Sequence, residues 1–217
     1  MAKLKMTDAD DTHRLNLAYQ DLKELPDNII LHYSKTTFVL DLSHNKFSEL
    51  RTLESFDNIH TLILDNNEIK SHTKFPPMPC LHTLWVNRNN ITNLTTFVET
   101  LAQNFPKLKF LSMMNNPAAP SYFNGGTFQQ FQDYRQYVIS QLPVLETLDD
   151  QPVTWDERQE AERIYKQMFT TKQRTKKKTP DRKSKPRRHS SSRKSMEEET
   201  TGAIDTLPDL PDLTGET

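Results

Sequence analysis

The sequence predicts an α/β solenoid: a short horseshoe of about five stacked repeats with parallel strands on its concave face. A helical C-terminal cap and a disordered tail follow. Three observations predict this. The pattern L-x-x-L-x-L-x-x-N-x-L is met at 59–69 and again at 81–91, with Ile in place of Leu at three of its positions and Val at a fourth. Its asparagines, Asn67 and Asn89, lie 22 positions apart. An amphipathic segment at 131–149 then breaks the repeat, and from about Thr170 onward Lys, Arg, Ser and Pro replace every apolar period.

In the repeat at 59–69, Leu62 and Leu64 alternate with Thr61, Ile63 and Asp65, so a short strand turns its leucines inward and the others outward. Asn67 follows where the strand turns, and an asparagine side chain there can bond backbone groups that the turn leaves unpaired. This is the spacing of a leucine-rich repeat. One such unit cannot bury its apolar face alone; stacked copies bury a shared one.

The first strand reads Arg14 to Leu22, with Gln20 where the asparagine is expected, as in an atypical terminal repeat. Leu25-Pro26 and Ile29-Ile30-Leu31 supply its back. The second strand, around Leu40 and Leu42, ends at Asn45 and Phe47, with Thr37 as a degenerate start. Between repeats three and four, Phe75-Pro76-Pro77-Met78-Pro79 must cross the convex side as extended chain, since three prolines forbid a helix. The fifth unit, Leu108 to Ala118, follows a longer connection. In it Asn93 can cap a helix whose stripe is Leu94, Phe97, Val98 and Leu101. The other convex segments are expected to be mostly irregular.

Residues 1–13 read as an N-terminal extension, 14–130 as repeats, 131–171 as the cap and 172–217 as the tail. The cap comprises an amphipathic helix from Phe131, a last short strand, and a second helix opened by the capping box Thr154 to Glu157. Its apolar face would seal the open end of the stack.

Charge divides the chain in the same way. Residues 1–171 carry a net −5, residues 172–194 hold 12 Lys/Arg against Asp181 alone, and residues 195–217 hold seven acids and no base. A chain that is 34% hydrophobic and 26% charged has a modest core and a polar remainder. No apolar run approaches the roughly 20 residues of a membrane helix, and the N-terminus lacks the long apolar region of a secretory signal. A single cysteine, Cys80, rules out an internal disulfide framework and favours a reducing compartment. These readings place the protein inside the cell, in cytoplasm, nucleus or both.

The run Tyr134-Arg135-x-x-Val138-Ile139-x-x-Leu142-Pro143-x-Leu145-x-x-Leu148-Asp149, with Val153-Thr154-x-x-Glu157-Arg158, resembles the C-terminal cap of intracellular leucine-rich repeat proteins. That group includes the spliceosomal A-prime proteins, the acidic nuclear phosphoproteins, several ciliary factors and the melanocyte differentiation-associated branch, to which the likeness is greatest. The repeats at 62–67, 81–84, 87–92 and 108–112 carry it further, so that it covers roughly residues 38–165. It implies a non-enzymatic adaptor, serving Rab-type small GTPases and endosomal or melanosomal traffic. The likeness to the spliceosomal proteins implies the alternative, a nuclear ribonucleoprotein component. The tail departs from the melanocyte branch in its basic run and its Leu-Pro-Asp repeats.

Strand alternation gives the face on which a protein partner would sit. Its candidates are Asp41, Ile63, Asp65, Trp85, Asn87, Arg88, Phe110, Ser112 and Met114. Among them Ile63, Trp85, Phe110 and Met114 are expected to form an apolar patch on a sheet face normally open to water, unless the cap or tail folds over it. Enzymatic groups do not converge. Cys80 and His82 make at most half of a zinc site; Ser43, His44 and Asp65 would stand on an open sheet, not in a pocket. Four glycines in all argue against a phosphate loop. Neither a cofactor nor a metal is expected.

In the tail, Lys176, Lys177, Lys178, Arg187 and Arg188 form a basic signal for nuclear import, or for contact with nucleic acid or anionic membrane. No aromatic residue is interleaved between Lys172 and Lys194, so base stacking is missing. Ser190, Ser191 and Ser192 follow basic residues and are candidate phosphorylation sites, where each phosphate would add nearly two negative charges.

Overall fold

The structure is a computed structural model that describes residues 13–121 and 124–176, with side chains described as far as Tyr165. These residues belong to one compact unit, Met1–Lys178. Seven strands form one sheet in chain order: β1 (Arg14–Asn16), β2 (Val39–Asp41), β3 (Thr61–Ile63), β4 (Thr83–Trp85), β5 (Phe110–Ser112), β6 (Thr147–Leu148) and β7 (Gln151–Pro152). The first six are parallel, and β7 turns back antiparallel on β6. Five repeats therefore stack as expected, and the cap adds a hairpin that the sequence pattern did not suggest.

Register is exact across the stack: Leu15, Leu40, Leu62, Leu84, Leu111 and Leu148 pair in one row. All six are buried in a single core with Leu17, Leu42, Leu64, Val86 and Met113 from the next inward row. Four asparagines lock this stack from inside. Asn67 Nδ2 donates to Leu64 O in its own repeat and to Leu42 O in the one before, while its Oδ1 accepts from Phe47 N. Asn45, Asn89 and Asn116 repeat the arrangement, each at 2.9–3.2 Å. Where Gln20 replaces the asparagine, Asn45 from the next repeat supplies the acceptor to Gln20 N and Leu22 N. One side chain thus satisfies buried backbone groups of two neighbouring turns, which is why an unbranched amide and not a hydroxyl stands there.

The residue just before the asparagine position has positive φ in every repeat: Tyr19, His44, Asn66, Arg88 and Asn115. Asn and His tolerate that conformation better than most; Tyr19 and Arg88 are held in it by the backbone bonds Tyr19 N to Ser43 O and Arg88 N to Met114 O.

The convex side is more helical than expected. Helix α1 (Asp27–Tyr33) forms behind repeat one, with Pro26 at its N-cap, where a missing N–H costs nothing. A 3-10 helix covers Arg51–Ser55. Residues 74–78 form neither helix nor strand, in keeping with their prolines, and Pro79 begins a turn. Helix α2 (Leu94–Asn104) is capped by Asn93, whose Oδ1 accepts from Thr96 N at 3.0 Å, and it buries Phe97, Val98 and Leu101.

In the cap, α3 runs over Phe128–Gln141, three residues earlier than the expected start at Phe131. The reason is a capping box at Thr127 and Gln130, in which each side chain accepts from the other's backbone N–H. Helix α4 (Trp155–Lys176) starts at the predicted Thr154–Glu157 box but runs past residue 172, where the tail was placed. Apolar periodicity fades near Met168, yet Lys, Gln and Arg propagate a helix well, and the first breaker is Pro180. The two helices are joined by Arg135, which is buried. Its guanidinium meets the Glu157 carboxylate at 2.6 and 3.2 Å and donates to Leu148 O and Pro152 O. Tyr134 OH donates to Asp149 Oδ2, and Asp149 Oδ1 accepts from Met113 N in the last repeat.

Candidate functional site

The outer face of the sheet is ordered by the same register as the core. Val39, Thr61, Thr83 and Phe110 form one row; Asn16, Asp41, Ile63, Trp85 and Ser112 form the next. The third row continues past the strands through Asp65, Asn87 and Met114, tied by side-chain bonds. Asp65 accepts from Asn87 N (2.8 Å) and Nδ2 (3.2 Å), and Asn87 Oδ1 accepts from Met114 N and from Ser112 Oγ, both at 2.7 Å. A second ladder therefore fixes the outer floor between repeats three and five.

On this floor stand three large apolar side chains: Trp85 is 44% exposed, Phe110 39% and Met114 39%. Phe110 and Met114 lie two residues to either side of Ser112, the register partner of Trp85, so the three form a triangle across β4 and β5. More than a third of each remains open. Arg88, exposed at the strand end, flanks the triangle on the rim.

The expected patch is smaller than the sequence suggested. Asp41 and Ile63 are each 9% exposed and Ser112 only 5%, so all three sit on the predicted face without presenting contact surface. They lie in the middle row, where Ile63 is paired with Asp41 on one side and Trp85 on the other, and Ser112 is paired with Trp85. Asp41 is also engaged: Oδ1 accepts from Ser43 N at 3.0 Å and Oδ2 lies 3.6 Å from Arg14. Asp65 and Asn87 are half-buried. Burial pushes the Asp65 carboxyl above its usual range, against the opposing effect of the two bonds from Asn87. The surface available to a partner is thus Trp85, Phe110, Met114 and Arg88, with the edges of Asp65 and Asn87.

Lys176 closes α4, and its side chain is beyond the described ones; Lys177, Lys178, Arg187, Arg188, Ser190, Ser191 and Ser192 lie outside the described residues. Among the described residues, His, Cys, Asp and Glu nowhere gather in a group of three that would hold a metal ion, and no helix is long and apolar enough to cross a membrane.

Two ring columns border the sheet, and sequence reasoning missed both. Tyr19 and His44 stack at 4.0 Å on the rim that carries Arg88. On the opposite rim His13, Phe38, His60 and His82 follow one another at 4.5, 5.1 and 5.4 Å, the first pair tilted, the second edge-to-face and the third stacked. Burial, then His60 and the lysines Lys107 and Lys109, hold the His82 imidazole below its usual value. The signal was present: each column occupies one fixed position of the repeat, 22 residues apart from His60 to His82.

Comparison with known proteins agrees with this architecture. The leucine-rich repeat family matches residues 34–179. The chain is 37% identical over 155 residues to leucine-rich melanocyte differentiation-associated protein of Homo sapiens, covering 69% of this chain and 77% of that protein. It is 30% identical over 142 residues to U2 small nuclear ribonucleoprotein A' of Saccharomyces cerevisiae, of which it covers 54%, so it spans about half the length of that relative. The crystal structure of the Drosophila melanogaster SNF/U2A' complex contains a chain with the same fold, at a TM-score of 0.56 and 23% identity, covering 74% of this chain and 87% of that one. The family match spans more than half of the chain, and the chain belongs to the leucine-rich repeat family.

Proposed function

We propose that this protein is a non-enzymatic adaptor that binds a partner protein on the outer face of its sheet, in vesicle or organelle traffic. The observation that carries this is the exposed triangle of Trp85, Phe110 and Met114 on a floor made rigid by the Asp65–Asn87–Ser112 bonds. A large aromatic anchor ringed by polar groups, already ordered before binding, is how hot spots are built. The traffic assignment, with a Rab-type small GTPase or its complex as partner, follows the 37% identity to the melanocyte protein. In the same reading Lys176, Lys177, Lys178, Arg187 and Arg188 direct the protein to nucleus or anionic surface, and phosphorylation at Ser190, Ser191 and Ser192 releases it.

The test is recovery of partners by the wild type beside a Trp85→Ala/Phe110→Ala variant, followed by binding of the purified partner to both. Loss of a trafficking protein from the variant supports the proposal. Equal recovery refutes the site. A second reading, a nuclear ribonucleoprotein component, draws on the 30% identity to the U2 A' protein; it takes the lead if the partner lost is an RNA-binding protein.

A further inference from the structure

Away from the sheet, a cleft of about 910 Å³ opens where the last repeat meets the cap. One wall is a single face of α3: Gln130, Asp133, Tyr134 and Tyr137 recur at i, i+3, i+4 and i+7. The opposite side is the start of α2 at Leu94 and the Pro117–Pro120 turn, and Tyr165 of α4 closes one end. The cleft is open, and its lining mixes three tyrosines, Leu94 and prolines with polar side chains, the character of a surface groove that could hold part of an extended chain.

Three features define what it would take. The rings of Tyr137 and Tyr165 meet at 73° with centroids 5.6 Å apart, presenting faces and edges at right angles. Tyr134 is buried and pinned from behind by its bond to Asp149, so the back wall is fixed. Asp133 is the one charged side chain in the lining, half-buried, and among the described residues only its Oδ1 is engaged by a side chain, accepting from Gln129 Nε2 at 2.9 Å. Asp133 and Tyr165 both line the cleft, and the Tyr165 hydroxyl is pushed above its usual value by burial and then by Asp133. A carboxylate beside electron-rich ring faces attracts a cation and repels an anion.

We propose that this cleft is a second docking site, which takes a basic side chain, Arg or Lys, of an extended partner peptide. The cation pairs with Asp133 against the Tyr137 and Tyr165 rings, and apolar neighbours lie along Leu94 and the prolines. The space exceeds one side chain, so flanking residues of the peptide are held as well.

The experiment is NMR titration of the full-length protein with a blocked Ala-Leu-Arg-Leu-Ala peptide and with its Gln and Glu counterparts. Saturable shifts at Gln129, Asp133 and Tyr165 are expected with the Arg peptide alone. Asp133→Asn, on a half-exposed helix face that folding does not require, should weaken binding about tenfold, the loss of one charge-assisted hydrogen bond. Tyr165→Phe should bind nearly as wild type, because the ring remains. The proposal is overturned if the three peptides bind alike or if Asp133→Asn binds unchanged. It is also overturned if the shifts follow protein concentration alone, since the occupant would then be a second copy.

Discussion

The two faces of the one parallel sheet are made by alternate residues of the same strands, yet they have opposite properties. Inward, Leu62, Leu84 and Leu111 are fully buried, and Asn67, Asn89 and Asn116 bond two repeats at once. Outward, Trp85, Phe110 and Met114 remain open over a hydrogen-bonded floor. The inner face is identical in type from repeat to repeat because each unit must stack on the next. The outer face varies from Asn16 to Trp85 along one row because nothing in the stack constrains it. Repetition marks what the fold needs, and departure from repetition marks what is left for binding.

Substitutions should separate the two faces. Arg135→Met in the cap comes first, because it strips Glu157, Leu148 O and Pro152 O of their partner at once. We expect a loss of roughly 3 kcal/mol, the lower end for breaking a buried pair, since Glu157 is partly solvated. Chemical denaturation measures it. Asn89→Ala follows at about 2–3 kcal/mol, since it leaves Ile69 N, Leu64 O and Val86 O unpaired in the interior. A melting temperature equal to wild type would remove the ladder from the account.

Acid should act on the cap next. Burial pushes the Glu157 carboxyl up, but its bonds from Arg135 and Thr154 outweigh this and hold it below its usual value. A depressed carboxylate stabilises the fold above its unfolded value, and that contribution is lost as pH falls through the folded one. Asp149 has the opposite sign: burial holds it above its usual range despite bonds from Met113 and Tyr134, so its protonation relieves a cost as pH falls. Glu157→Gln should therefore flatten the acid limb of the stability profile, while Asp149→Asn should leave that limb in place. A limb unchanged by Glu157→Gln would contradict the assignment.

Much of the sheet was legible in the sequence because its period is two and its repeat length fixes register: Leu62 to Leu84 is 22 positions, and the structure pairs them. The role of Asn67 was legible only within its own turn. That its amide reaches back to Leu42 O depends on a neighbour 25 residues away, which no local pattern encodes. The outer face was read correctly for direction and too generously for exposure. Ile63 and Trp85 occupy equivalent positions, yet one is 9% and the other 44% exposed, a difference that strand alternation does not encode. Helix α4 was cut short because apolar periodicity was weighed above the helix propensity of Lys, Gln and Arg. The Tyr137–Tyr165 cleft was not legible at all, since its walls come from four separate elements.

The smallest effect on the fold should come from the outer face, and there the central claim is most directly tested. Trp85→Ala/Phe110→Ala removes side chains that the core does not use, so stability should change by about 1 kcal/mol or less. Affinity for the partner should fall by about 30-fold or more, because a single central aromatic anchor already carries about 2 kcal/mol or greater. The decisive measurement is calorimetric titration of the purified partner against this variant and the wild type, with melting curves of both. A folded variant that no longer binds is the predicted result; a folded variant that binds with wild-type affinity would contradict the account.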